Sequence, residues 1–184
     1  MTEAKQIIQA RQGDQAAWED LIHAHQEPVF RLAYLLLGDP DEAEDVAQET
    51  FLRAYKALDG FDTERPLRPW LLRIASNLAH NRHRSIGRYL AALTRFAQQD
   101  PEGIKSTTIQ PEDDSQLLWQ AVKTLKVPFQ KVVYLRFFLD MSESEMADTL
   151  EVPAGTVKSR LHRALSKLRG IIEREYPELK EIVE

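Results

Sequence analysis

A 184-residue chain without cysteine has no disulfide and no thiolate metal ligand, and suits a reducing compartment. Its longest apolar run, Leu32 to Leu37, falls far short of the roughly 20 residues of a membrane span, and its first residues carry no secretory pattern, so a cytoplasmic protein without membrane insertion is expected. The net charge of −5 speaks against a nucleic-acid binder on average, but the charge is blocked: −7 over residues 1–60, +5 over 61–95, −4 over 96–115, then five basic residues and no acid over 158–169. DNA responds to the local patch, because screening cuts off charge beyond about 10 Å. Two basic patches on an acidic body are expected to meet DNA at two places, leaving the acidic stretch for another partner.

Apolar periodicity predicts helices almost throughout. Residues 15–37 place Ala17, Leu21, Ile22, Val29, Phe30, Ala33 and Leu37 at helical spacing, an expected core stripe. Gly38-Asp39-Pro40 ends that run. A second helix over about 41–58 opens in Asp41, Glu42, Glu44 and Asp45, as the positive end of a helix dipole favours. Residues 59–69 read as a loop, and a third helix is expected from about Pro69 to Ile86, Pro69 being a good first-turn residue. Residues 93–112 are polar and interrupted by Pro101, Gly103 and Pro111, a linker pattern. Helices resume near Asp114, with further ones at 128–139, 142–150 and from about 154. The expected architecture is all-α: two helical domains, residues 1–92 and 113–184, joined by a flexible linker.

The sharpest local pattern is helix-turn-helix. Ser142 and Glu145 form a capping box that fixes a helix start, Pro153 interrupts, and a second helix follows. On a wheel, Val157, Leu161, Ala164, Leu165, Leu168 and Ile172 fall on one stripe and are expected inside. Thr156, Arg160, Arg163 and Lys167 lie together on another face, flanked by Lys158 and Ser159. A major groove supplies what such donors need: phosphates, and guanine edges that Arg reads with two bonds.

The helix after Pro69 buries Leu71, Ile74, Ala75 and Leu78 and turns Trp70, Arg73, Asn77, His80, Asn81 and Arg84 outward. An indole beside amides and guanidinium groups suits single-stranded nucleic acid: a ring to stack, an amide to read a base edge, a cation for phosphate. Helix 41–58 should bury Ala43, Val46, Ala47, Thr50, Ala54 and Leu58. Its other side carries Asp45, Gln48, Leu52 and Tyr55, with Glu49 and Arg53 beside them. A large apolar pair amid acid repels phosphate and resembles a protein-docking patch. His80 and His83 have half a metal-site spacing but no further ligand cluster. No catalytic constellation, cofactor motif or metal site is expected, and the chain is not read as an enzyme.

These residues carry a family resemblance. The run Asp41 to Tyr55 (DEAEDVAQETFLRAY) resembles sigma-factor region 2, Pro69 to Leu78 (PWLLRIASNL) its promoter-melting helix, and Val152 to Ala164 (VPAGTVKSRLHRA) region 4. Their order and spacing resemble the extracytoplasmic-function group of the sigma-70 family, over about residues 5–92 and 113–170. The resemblance implies that Asp45, Gln48, Glu49, Leu52 and Tyr55 meet the clamp helices of core RNA polymerase. It implies that Trp70, Arg73, Asn77 and His80 handle the minus-ten promoter element, and that the loop from Phe61 to Arg68 captures a flipped base. It implies that Thr156, Lys158, Ser159, Arg160 and Arg163 read the minus-thirty-five element as duplex, and that an anti-sigma factor sequesters the protein. The loop Arg65-Pro-Leu-Arg-Pro69 departs from the family's usual aromatic and hydroxyl residues. The competing reading is a conventional helix-turn-helix regulator with an N-terminal helical domain, which leaves Asp45 to Tyr55 without a role.

Overall fold

The computed structural model describes residues 2–97 and 114–175, with side chains over 2–82 and 117–175. Most of the expected linker and the acidic stretch after Glu175 lie outside them. Among the described residues every regular element is helical: α1 Glu3–Arg11, α2 Gln15–Leu37, α3 Pro40–Ala57, a single 3-10 turn Leu58–Gly60, α4 Leu67–Ala97, α5 Asp114–Lys123, α6 Val127–Val133 running into a π turn Tyr134–Phe138, α7 Glu143–Leu150 and α8 Ala154–Glu175.

Local chemistry accounts for the ends. Asp14 caps α2 by accepting from the Ala17 amide, and Asp39 caps α3 through the Glu42 amide with Pro40 in its first turn. Gly38 ends α2 in the left-handed region at φ 77°, where a side chain would be strained. The Ser142–Glu145 capping box forms as expected, and α7 stops at Glu151, itself left-handed at φ 53°. The third helix starts at Leu67 rather than Pro69, because its first turn needs no internal N–H partners. It also runs to Ala97, into the segment read as linker.

Helix α2 is the hub of the first unit, packed by α1, α3 and α4. Ile7, Leu21, Leu32, Leu58, Leu67, Leu71 and Leu72 are all but fully buried there. Tyr134, Leu135, Met141, Met146, Val157 and Ile172 fill the second unit, each full burial worth about 1.5–3 kcal/mol. Two expected core residues are corrected: Phe30 and Leu165 are 37% and 40% exposed. Ile22, Leu37, Ala47, Ile74, Leu78 and Leu161 are half-buried at the edge of the core. A stripe drawn on a wheel is wider than the arc that neighbouring helices cover. Conversely, Phe51 and Leu72, left off the expected stripes, are buried.

The two units pack directly on each other, which the sequence did not announce. The Arg68 guanidinium donates to the Leu139 carbonyl at 2.6 Å, and Arg31 to that of Phe138 at 3.3 Å. Tyr34 stacks on Trp119 with ring centroids 6.2 Å apart. Arg65 pairs with Asp148 at 2.8 Å, and Arg73 with Glu151 at 2.7 Å.

Helix α1 is tied in by Glu3, whose Oε1 lies 3.0 Å from His25 Nε2 and whose Oε2 accepts from the Leu67 amide at 3.0 Å. The bond to His25 first, and the Leu67 amide further, hold this carboxyl below its ordinary value of 4.5 against the opposing pull of partial burial. A depressed carboxylate stabilises the fold fully above its unfolded value and loses that contribution as pH falls through the lower folded one. Glu3→Gln is therefore expected to lower stability to urea at neutral pH, with the gap to wild type narrowing as pH drops below 4.5. A gap that stays constant on acidification would show that ionisation of Glu3 contributes nothing.

Candidate polymerase and nucleic-acid surfaces

Helices α2 and α3 cross so that one long face of each remains open. On α3, Leu52 is 57% and Tyr55 50% exposed, as the wheel requires for a docking patch. They line a trough of about 600 Å³ with Gln15, Trp18, Ile22, Gln48 and Phe51. The trough continues past Ile22 and Phe51 to Phe30, which explains that ring's exposure. The Trp18 indole braces the wall, 5.2 Å from the Tyr55 ring and edge-on to Phe51 at 6.3 Å. Trp18 and Phe30 were not read as site residues. Their signal, large aromatics at the rim of an amphipathic stripe, is the one that core residues also give. The polar edge is organised: Arg53 pairs with Glu49 at 2.7 Å, and Arg82 bridges Glu42 and Asp45, the latter at 2.9 Å. Such a surface offers an apolar centre inside a charged rim, the anatomy of a protein interface.

The second surface runs from the 3-10 turn into α4. Trp70 is half-buried and rests on Phe61, the ring centroids 4.7 Å apart. Phe61 itself is 9% exposed and belongs to the core, which corrects its reading as a base-contacting residue. Its ring is the floor under Trp70 and is not free to stack on a base. Beside Trp70 a cleft of about 160 Å³ is lined by Asp62, Arg65, Pro66, Arg73 and, from α7, Asp148. Asn77 is exposed on the same helix. His80 is half-buried, facing α5 and α6 across a cavity shared with Lys123 and Lys131. It lines that cavity while lying one turn along α4 from Asn77. The expected contact at Arg84, and the second histidine His83, lie outside the described side chains. Arg65 and Arg73 bring positive charge to the cleft, and both are held by α7 carboxylates.

The third surface is α8. Lys158, Ser159, Arg163 and Lys167 are exposed, with Thr156 and Arg160 half-buried beside them. Val157, Ala164, Leu168 and Ile172 anchor the opposite side. The ridge is pre-shaped: Ser159 donates to the Thr156 carbonyl at 3.0 Å, and Arg163 donates to the Ser159 carbonyl at 3.2 Å. Lys167 lies 5.9 Å over the Phe129 ring. None of these cations has a carboxylate within salt-bridge distance among the described residues. No described helix is long and apolar enough to cross a membrane.

Comparison with known proteins matches residues 21–89 to sigma-70 region 2 and residues 115–168 to sigma-70 region 4. The chain is similar to the ECF RNA polymerase sigma factor SigW of Bacillus subtilis, 36% identical over 180 residues that cover 90% of this chain and 94% of SigW. It is 35% identical to the ECF RNA polymerase sigma factor SigE of Mycolicibacterium smegmatis, over 90% of this chain and 66% of SigE. Among solved structures it is similar to CnrH in complex with the cytosolic domain of CnrY, with a TM-score of 0.70 and 27% identity over 94% of this chain and 98% of CnrH.

The buried placement of Phe61 is directly testable. Phe61→Ala should cost about 3–5 kcal/mol of unfolding free energy, as removal of a core ring does. A loss below about 1 kcal/mol in urea denaturation would return Phe61 to the surface.

Proposed function

The chain belongs to the extracytoplasmic-function group of RNA polymerase sigma factors, in the sigma-70 family, and from that premise we propose how its three surfaces divide promoter recognition and opening. The trough of α2 and α3 takes the clamp helices of core polymerase, with Leu52 and Tyr55 as apolar anchors and Asp45, Gln48, Glu49 and Arg53 as the polar rim. The observation that carries this reading is the exposure of Leu52 and Tyr55 on an apolar trough inside an acidic edge. Phosphate is repelled there, so the partner is protein.

The face of α4 holds the minus-ten element as it opens. Trp70 supplies a stacking surface, Asn77 an amide for a base edge, and Arg73 a cation for phosphate. Stacking of this kind is worth about 1–3 kcal/mol per base, enough to offset an unstacking cost of similar size. The α8 ridge reads the minus-thirty-five element as duplex through Arg160, Arg163 and their neighbours. The protein performs no covalent chemistry of its own, and it works in the cytoplasm, where polymerase and DNA meet.

The packed arrangement is the resting form in this scheme. Arg65 and Arg73 cannot serve phosphate while Asp148 and Glu151 hold them, so α7 must leave α4 before the minus-ten face is used. The two ion pairs are worth about 0–1 kcal/mol each, so the main cost of parting the units is the apolar core they share, which polymerase docking must offset. An anti-sigma factor controls the step by holding the units together; CnrH, a structural relative, was solved with CnrY bound.

A pull-down with core polymerase tests the first assignment. Leu52→Ala combined with Tyr55→Ala should weaken retention by about tenfold or more, as loss of interface anchors does. Retention unchanged by that pair would leave the alternative of a conventional helix-turn-helix regulator standing. Arg160→Ala should cost about 1–3 kcal/mol in recognition of the duplex element while core binding is kept; equal loss of both would mean that the variant had misfolded. Asn77→Ala should slow opening more than it weakens the closed complex, and permanganate reactivity that develops at the wild-type rate would remove Asn77 from the scheme.

A further inference from the structure

Helix α1 precedes the residues matched to region 2, which begin at 21, and none of the three surfaces uses it. Yet it reaches the loop beside Trp70 at both ends. From its last residue, Arg11 donates through Nε to the Leu58 carbonyl at 2.9 Å and through a terminal nitrogen to the Phe61 carbonyl. From its first turn, Glu3 accepts from the Leu67 amide at 3.0 Å, the opening residue of α4. One helix therefore grips the chain where the loop leaves the 3-10 turn and where it enters α4.

We propose that α1 is a positioning device for the minus-ten loop, in which Arg11 and Glu3 hold residues 58–67 in the shape that receives an unpaired base. The inference rests on the reading of α4 as the melting helix.

Three features make α1 suited to this. It is itself immobilised: Ile7 is fully buried, Ala10 is 2% exposed, and Glu3 is braced by His25, which is 8% exposed. Both residues act on backbone, so they set the path of the loop whatever side chains it carries. That suits a loop whose own stabilising contacts are slight, the Glu64 amide donating to Asp62 Oδ1 at 3.0 Å and the Arg65 amide to the Asp62 carbonyl at 3.1 Å. Finally, the carbonyl gripped by Arg11 belongs to Phe61, whose ring lies under Trp70. Arg11 thus fixes the height of the indole as well as the start of the loop. A recognition site held loosely by its supporting shell loses function out of proportion to the displacement.

The test uses the full-length protein, wild type and as Arg11→Ala and Glu3→Gln. Hydrogen exchange is followed in the free chain. Core affinity, closed-complex affinity and opening rate are followed with core polymerase on a promoter that the wild type opens. For Arg11→Ala, amides of residues 59–67 should exchange about tenfold faster while those of α2 and α3 keep their protection, and opening should slow about tenfold with both affinities within about twofold of wild type. Glu3→Gln, which keeps one acceptor oxygen, should shift the same readouts in the same direction by less. If exchange rises across α2 and α3 as well, α1 is general packing and the positioning role is overturned. Unchanged opening by Arg11→Ala despite a loosened loop overturns it too. Trp70→Ala and Asn77→Ala proteins that bind core and open that promoter at the wild-type rate would instead sink the reading of α4, and the role of α1 with it.

Discussion

Helix α2 must bury one face along most of its length, and the rest of the molecule is arranged around that requirement. Ala17, Leu21, Val29, Leu32, Ala33 and Leu35 lie on it, buried against α1, α3 and α4. Because α2 satisfies the inner faces of α3 and α4, those helices are free to spend their outer faces on partners. Leu52 and Tyr55 stay exposed because Ala43, Val46, Thr50 and Ala54 already fill the interface behind them. Exposure of large apolar groups costs solubility and is tolerated where something covers them. In the proposed division of surfaces, that cover is polymerase.

Much of this was legible in the residues, for identifiable reasons. Helix starts were plain because caps are local: Ser142 with Glu145 announces α7 without reference to anything distant. The outer faces of α3 and α8 were legible because a wheel sorts acid from base on a straight helix. Phe61 was not. Its position in a loop suggested exposure, and only the close approach of α4 makes it the floor beneath Trp70. Phe30 failed the other way: it sits on the stripe of α2, but its ring lies in the trough beside Glu44 and Ala47 of α3 and is not covered by them. Leu165 shows the same limit on α8, where the buried arc is narrower than the hydrophobic one. The docking of the second unit on the first had no local signature at all. It depends on Asp148 and Glu151 facing Arg65 and Arg73 across a separation of about 80 residues in the chain, and a pattern read one helix at a time does not see such pairs.

The role of α1 was hidden for a related reason. Arg11 and Glu3 act on carbonyl and amide groups, which every residue possesses, so the loop sequence carries no mark of its being gripped. A guanidinium offers several donors in a fixed plane and can take two carbonyls at once. The Leu58 carbonyl opens the 3-10 turn and also accepts from the Phe61 amide at 3.1 Å, and the Phe61 carbonyl lies just past the turn. The grip thus spans the turn from end to end and is made by a distant residue.

The distribution of charge adds an order of events to the proposed division of labour. In the packed arrangement the trough of α2 and α3 is open and the α8 cations have no acidic partner among the described residues, whereas Arg65 and Arg73 beside Trp70 are engaged by α7. Polymerase and duplex therefore find their surfaces ready, and the melting face becomes usable when α7 withdraws. The exchange is close to balanced, since each guanidinium trades a carboxylate for a phosphate in similar surroundings. In the proposed scheme it is tipped by the polymerase, which would separate the two units, and by the DNA, which releases counterions as its phosphates are neutralised. In this scheme the melting face, masked by two ion pairs at the edge of an apolar core that the units share, stays closed in the free protein and yields to the assembled complex. That combination keeps an unpaired-base site from acting on DNA before polymerase is present.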